Sequence, residues 1–211
     1  MKMENDILHS LVYSKNTVEF VTVASEFCSL MENVRNFEFK ENMHKMQRML
    51  PLLYLKASML PKTEKILENE LEKYISEMDY NVVQQRWLDL LGENDSYYEV
   101  FDPDLQFSGE PVTASISESL TDIYQDLKDF IIAYSIGNEE IMNDALYDCE
   151  YHFEDFWGQR LVNVLRAVHM IMTGKSDPGT ENEPDNHPLK VRSEWLDKFW
   201  DSHSKDDAND L

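Results

Sequence analysis

Apolar residues recur at intervals of three and four positions through most of the first 174 residues of the sequence. The clearest series is Phe20, Ala24, Phe27, Met31 and Val34. Because an α-helix turns once every 3.6 residues, this spacing places apolar side chains on one face and predicts amphipathic helices. The chain has only 6 glycines and 7 prolines in 211 residues, too few for the many turns of a sandwich or barrel. The predicted fold class is all-α.

Capping residues and glycines predict where several helices begin and end. Asn16, followed three residues later by a glutamate, is predicted to begin the first long helix, and Ser115 a later one. Gly92 and Gly137 are predicted to end helices, and Asn138 to begin the next. Together these signals predict six or seven helices packed as an irregular bundle.

The segment LPLLYLKASMLP, residues 50–61, is apolar nearly all round. Such a pattern predicts a helix that is buried on several sides and lies at the centre of the fold. Pro51 leaves two interpretations open, because proline removes a backbone donor. Either one helix kinks there, or a new helix begins with Pro51 in its first turn.

Two further segments carry distinct patterns. The segment TEKILENELEKYISEM, residues 63–78, predicts a charged helix with a narrow apolar stripe that includes Leu67, Leu71 and Tyr74. From residue 93 to 114 the helical period disappears, and aromatic residues, two prolines and a glycine replace it. We expect an ordered, aromatic crossover loop between the two halves of the chain, with room for a short strand pair.

Composition shifts divide the chain into four parts. Residues 1–13 are expected to form a loose N-terminus, and residues 14–174 the helical bundle domain. Residues 175–188 form a polar, proline-containing linker, and residues 189–211 a short amphipathic helix with an acidic tail.

The segment after the linker concentrates large apolar side chains. Trp195, Leu196, Phe199 and Trp200 fall on one face of a helix. They either dock onto the bundle or bind a partner, so Trp195, Phe199 and Trp200 are candidate partner-binding residues.

The formal net charge is −22 at pH 7. Phosphate backbones and anionic lipids would repel such a chain, so we expect no nucleic-acid or membrane partner. The charge suits a basic protein partner or a metal ion, and it also promotes solubility. With no apolar signal segment or membrane-spanning run, a cytoplasmic protein is expected. Cys28 and Cys149 lie within apolar helical patterns and are expected to be buried free thiols.

Two predicted helices carry stripes of acidic residues. Asp144, Asp148, His152 and Asp155 are spaced by four, four and three, as are Asp122, Asp126 and Asp129 by four and three. If the two helices pack side by side, carboxylates and a histidine could converge on a divalent metal ion. The alternative is that the stripes are solvated helix edges, with His152 as a structural histidine. The candidate metal ligands are Asp122, Asp126, Asp148, His152 and Asp155.

The stretch DCEYHFEDFWGQRL, residues 148–161, contains a change of helical phase. The apolar face centres on Cys149 and Phe153 before the glycine, and lies about a quarter-turn away after it. This shift predicts a kink, or a break between two helices, at Trp157 and Gly158.

Four strings together resemble an uncharacterised family, the domain-of-unknown-function (DUF) family 5063. They are NTVEFVTVASEFC, LPLLYLKASMLP, SLTDIYQDLKDFI and FWGQRLVNVLRAVH, and the resemblance covers about residues 14–173. It implies an all-helical, cytoplasmic protein of Bacteroides-type bacteria. It implies no activity, and no functional residue is carried over from it.

Two function hypotheses remain. The first is a non-catalytic interaction or regulatory module with an acidic surface, of which an inhibitor that masks a basic site is one form. The second is a metal-dependent enzyme of the hydrolase type that uses the acidic stripes. The sequence contains no glycine-rich phosphate loop, no G-x-S-x-G and no C-x-x-C, so no cofactor is expected and the first hypothesis is favoured. Catalytic residues and oligomeric state are not indicated.

Overall fold

The computed structural model of the chain describes residues 8–99 and 112–174. Within these ranges the fold is all-α, apart from one pair of short strands, and contains six helices of 14 to 20 residues. They are α1 (Lys15–Glu32), α2 (Phe39–Ala57), α3 (Glu77–Leu91), α4 (Ile116–Ser135), α5 (Glu139–His152) and α6 (Gly158–Thr173). The predicted fold class is confirmed. Residues 8–12, in the segment expected to be loose, form a helical turn.

The capping residues of the second half are where the sequence predicts them. The Ser115 hydroxyl accepts a hydrogen bond from the Glu118 N–H at 3.1 Å, and the Asn138 side chain accepts from the N–H of Glu140. The prediction for the first helix was two residues late. Ser14 caps α1, while the Asn16 amide donates to the Met59 carbonyl at 3.0 Å.

The central helix is α4, not the apolar segment around Pro51. Helix α4 packs against α1, α3, α5 and α6, and eleven of its 20 residues are buried. Helix α2 runs without a break through Pro51 and packs against α1 and α6. Only six of its 19 residues are buried, so the prediction of a central α2 was wrong. Its buried stripe contains Leu50, Leu53 and Ala57.

Residues 61–76, which we call the strap, contain neither helix nor strand. The helix predicted from residue 63 was therefore wrong. Backbone N–H groups of Ile66 and Leu67 each donate to the Asp144 carboxylate at 2.8 Å. Those of Tyr74 and Ile75 donate to Asp129 at 2.8 and 2.9 Å.

Tertiary hydrogen bonds outweigh the helix preference of the strap. A helix of about 15 residues is only marginally stable alone in water. A hydrogen bond to a charged group contributes about 1.5–3 kcal/mol, and the strap makes four of them. Partly buried packing of Leu71 and neighbouring side chains on the core adds to this.

The predicted strand pair is present in the crossover region. Strand β1 (Ser96–Tyr98) pairs antiparallel with β2 (Thr113–Ser115), and Tyr97 lies opposite Ala114. Buried Asp95 accepts hydrogen bonds from the Ser115 hydroxyl and the Ser117 N–H, both at 2.7 Å. This ties β1 to the start of α4. The part of the predicted aromatic loop at residues 100–111 lies outside the described residues.

Helices α5 and α6 are joined by one π-helical turn, Phe153–Trp157. The Gly158 N–H donates to the Phe153 carbonyl, five residues back. A Cβ at position 158 would lie 2.4 Å from that oxygen, so a residue without a side chain is required. The predicted joint is confirmed, as a widened turn that shifts the helical phase.

The predicted linker, the amphipathic segment and the candidates Trp195, Phe199 and Trp200 lie outside the described residues. Among the described helices, none has both the length and the apolar character needed to cross a membrane.

Candidate functional site

Helices α4 and α5 bring one pair of the predicted site residues together. The connection between them is only residues 136–138, and the two helices pack against each other. The Nδ1 atom of His152 lies 3.0 Å from the Oδ1 atom of Asp126. This hydrogen bond raises the pKa of His152, and partial burial opposes the shift. The pair can therefore hold a proton at higher pH than a free histidine.

A small cavity of about 30 Å³ lies beside this pair. Its walls come from α4, α5 and the strap, and are formed by Leu71, Glu72, Lys73, Asp126, Asp129, Phe130, Ala133, Ala145, Asp148, Cys149 and His152. Asp148 therefore lines the same cavity as Asp126 and His152. Burial raises the pKa of its carboxyl group. The volume suffices for a water molecule or two, whereas pockets for organic ligands measure about 300–1,000 Å³.

The other two metal candidates lie elsewhere. Asp122 accepts a hydrogen bond from the Tyr80 hydroxyl at 2.7 Å and forms an ion pair with Arg160 at 2.9 Å. Asp155 is exposed in the π-helical turn. In the described ranges, no three His, Cys, Asp or Glu side chains are grouped as a metal-binding set. The geometry therefore adds no support to the predicted metal centre.

The only thiol in the cavity wall is poorly suited to act as a nucleophile. Cys149 and Cys28 are buried free cysteines, as predicted. Burial raises the pKa of Cys149 well above its usual value, so its reactive thiolate form is disfavoured. The Asp126–His152 pair is thus a proton-binding pair, with no activated thiol beside it in this cavity.

A surface that the sequence did not predict lies on helix α2 and on the turn that follows it. Leu52, Leu55 and Met59 are 42%, 52% and 42% exposed, and they are spaced by three and four residues. We call these three residues the α2 face. Toward α6, exposed Tyr54 and Val162 line a shared groove, and the Tyr54 ring packs edge-on against Phe153.

The α2 face continues into a groove between α1 and α2. This groove has a volume of about 450 Å³, and Leu52 forms part of its wall together with Phe37 and Met49. Lys45 and Arg48 line the same groove, and Arg48 is exposed and makes no ion pair with any residue that the structure describes. The groove is large enough to accept an apolar side chain of a partner.

The described residues form an all-α helical domain with α4 at its centre, and this fold defines the class of the protein. The chain belongs to the DUF5063 family, described as a domain of unknown function, whose family profile matches residues 11–173. The resemblance drawn from the sequence is confirmed.

A crystal structure with the same fold is that of protein BF1032 from Bacteroides fragilis. The two chains are 40% identical, with a TM-score of 0.69, and the match covers 82% of this chain and 99% of the other. A comparison with curated proteins found no match.

Proposed function

We propose that this protein is a non-catalytic protein-interaction module that binds its partner through the α2 face. The observation that carries the proposal is the exposure of Leu52 and Leu55 on one side of a well-formed helix and of Met59 in the turn that follows it. Apolar patches on a protein surface often mark binding sites, because burying them against a partner removes apolar area from water.

The spacing of the α2 face suits a known type of recognition. Apolar anchors about one turn apart on a helix fit into an apolar groove on a partner. Leu52 and Leu55 have this spacing, and Met59 extends the apolar surface into the turn after the helix. The neighbouring groove with Phe37 and Met49 gives the partner a place to insert an apolar side chain of its own. The α2 face and this groove are both suited to contact with the surface of another protein.

The charge of the whole chain favours a partner with basic residues around an apolar centre. A net charge of −22 attracts a basic protein over a long distance and accelerates association at low ionic strength. The Asp126–His152 pair does not compete with this proposal, since its cavity of about 30 Å³ is too small for an organic substrate.

Site-specific photo-crosslinking tests the proposal. A photoreactive amino acid at position 55 should capture one defined protein from a native lysate of the source cells. Position 88 is the matched control, because Leu88 is also an exposed leucine, at 39%, but lies on α3. The same adduct should weaken as salt concentration rises, because salt screens the attraction.

A second variant ties the adduct to the α2 face. L52D, in the protein that carries the photoreactive residue at 55, should abolish the adduct, whereas L88D should leave it unchanged. Equal adducts from positions 55 and 88, or an adduct that survives L52D, would contradict the proposal.

A further inference from the structure

The strap has a sequence that favours a helix and a conformation that is not helical. Glutamate, leucine and lysine dominate residues 64–73, and all three have high helix propensity. Leu67, Leu71 and Ile75 follow one another at four-residue spacing, as on one face of a helix. A conflict between local preference and tertiary structure is expected at functional or strained segments.

The two conformations compete for the same backbone donors. In a helix that begins at Thr63, the N–H groups of residues 67, 74 and 75 would donate to the carbonyls of residues 63, 70 and 71, and that of residue 66 would lie in the first turn. In the structure those four N–H groups donate to Asp144 and Asp129. One N–H group cannot form a full hydrogen bond to two acceptors at once, so the observed strap and a helical strap exclude each other.

The strap is held mainly at its contacts with Asp144 and with Asp129, which we call the first and the second pin. Asn143 adds a hydrogen bond to the Glu64 carbonyl at 2.7 Å beside the first pin. Near the second pin, Tyr74 and Ile75 are partly buried against the core.

Residues 68–70, between the pins, are exposed. Lys62 also pairs with Glu150 and Glu154, and Leu71 packs on the core between the pins. Release of the two carboxylate contacts together with the Leu71 contact would free the segment after Lys62, which can remain as its tether.

We propose that residues 61–76 form a releasable strap, which exchanges between the pinned state and a detached state in which the segment is helical. Detachment uncovers the wall of α4 and α5 around the cavity, including Phe130, Ala133 and Ala145. The strap follows the α2 face directly in the chain, but the surface that it covers belongs to α4 and α5 and is therefore distinct from that face. It provides the fold with a second surface that is covered until the strap leaves.

Hydrogen–deuterium exchange of the full chain, read by mass spectrometry, tests the proposal. In the wild-type protein, peptides that contain residues 66, 67, 74 and 75 should exchange at least about tenfold faster than peptides from the middle of α4 and α5. In D144A the strap should exchange faster still, and the far-UV circular dichroism at 222 nm should become more negative as the strap forms helix. E140A is the matched control, since Glu140 is an exposed carboxylate one turn before Asp144 on α5, and it should change neither measurement.

A proline substitution separates helix formation from simple loosening. Glu70 is exposed, and its N–H is not among the four pinned donors. In the D144A background, E70P should remove the gain in helicity while the strap still exchanges rapidly, whereas E70A should keep the gain. If D144A does not fold, D144N, which retains one acceptor oxygen, takes its place. The proposal would be overturned if the strap exchanged its amide hydrogens only when the core of α4 and α5 did. It would also be overturned if D144A accelerated exchange of the strap without increasing the helicity.

Discussion

Three buried aspartates show how single residues organise this fold. Asp95, Asp129 and Asp144 are 7%, 6% and 0% exposed, and each accepts hydrogen bonds from the backbone of another segment. Charge-assisted hydrogen bonds of this kind are stronger than neutral ones and can hold segments that have no regular structure. Some of the acidic residues in this chain therefore serve as internal acceptors.

The Asp126–His152 pair predicts a pH dependence of stability. The folded-state pKa of His152 is raised above its unfolded value of about 6.5, so its stabilising effect is fully present below that value and is lost as pH rises through the folded pKa. Because the pair is partly exposed, we expect about 0.5 kcal/mol between wild type and H152Q near pH 5.5, declining by pH 8. Urea unfolding across this range measures the difference.

His44 supplies the control for this prediction. It makes no ion pair with the residues that the structure describes, so H44Q should not reproduce the decline. A difference for H152Q that grows as pH rises would show that the histidine is bound in its neutral form.

At the scale of elements, a helix with two apolar stripes can face both the core and the solvent. Helix α2 buries Leu50, Leu53 and Ala57 and exposes Leu52 and Leu55. Both stripes have helical spacing, so the apolar pattern is the same for a central helix and for a surface helix with a binding face. Among the described elements, the main packing partners of α2 are α1 and α6, and this arrangement leaves its second stripe exposed.

Adjacent leucines in α2 distinguish the two stripes. L53A should lower the free energy of unfolding by about 2–5 kcal/mol, because Leu53 is fully buried and its loss leaves a cavity. L52A should change it by less than about 1 kcal/mol, because Leu52 is 42% exposed. Urea denaturation compares them directly, and similar losses for both variants would place α2 inside the fold.

The joint between α5 and α6 depends on one glycine. G158A places a methyl group 2.4 Å from the Phe153 carbonyl oxygen, which cannot easily move because it accepts the Gly158 N–H. We expect a loss of about 1–3 kcal/mol in thermal or urea unfolding. Q159A, at the exposed next position, should cost less than about 0.5 kcal/mol. Equal stability of G158A and wild type would contradict the close contact between position 158 and the Phe153 carbonyl oxygen.

At the scale of the whole molecule, a net charge of −22 works against compactness. Mutual repulsion of so many carboxylates destabilises the folded state, and salt screens that repulsion. We therefore expect the melting temperature to rise by several degrees when sodium chloride increases from low to near-molar concentration. Potassium chloride should raise the melting temperature by a similar amount. A melting temperature that falls with salt would mean that favourable ion pairs such as Arg160–Asp122 outweigh the repulsion between carboxylates.

The candidate site was predictable only in part. Helical spacing together with a short connection predicted that Asp126, Asp148 and His152 could meet, and the structure brings them to one cavity. The same stripe included Asp122, which pairs with Arg160 and Tyr80 instead. Spacing within one helix cannot identify a partner on another helix, because that choice depends on contacts between residues far apart in the chain.

The sequence by itself determined the helical class, most helix limits and the joint at Gly158, because periodicity, capping and glycine geometry act over a few neighbouring residues. Only the tertiary structure decided which helix is central, which apolar stripe remains exposed and whether residues 61–76 form a helix. In each case groups distant in the chain compete with local preferences. Four N–H groups of the strap donate to Asp129 and Asp144, and that long-range choice prevents a helix that the local sequence favours.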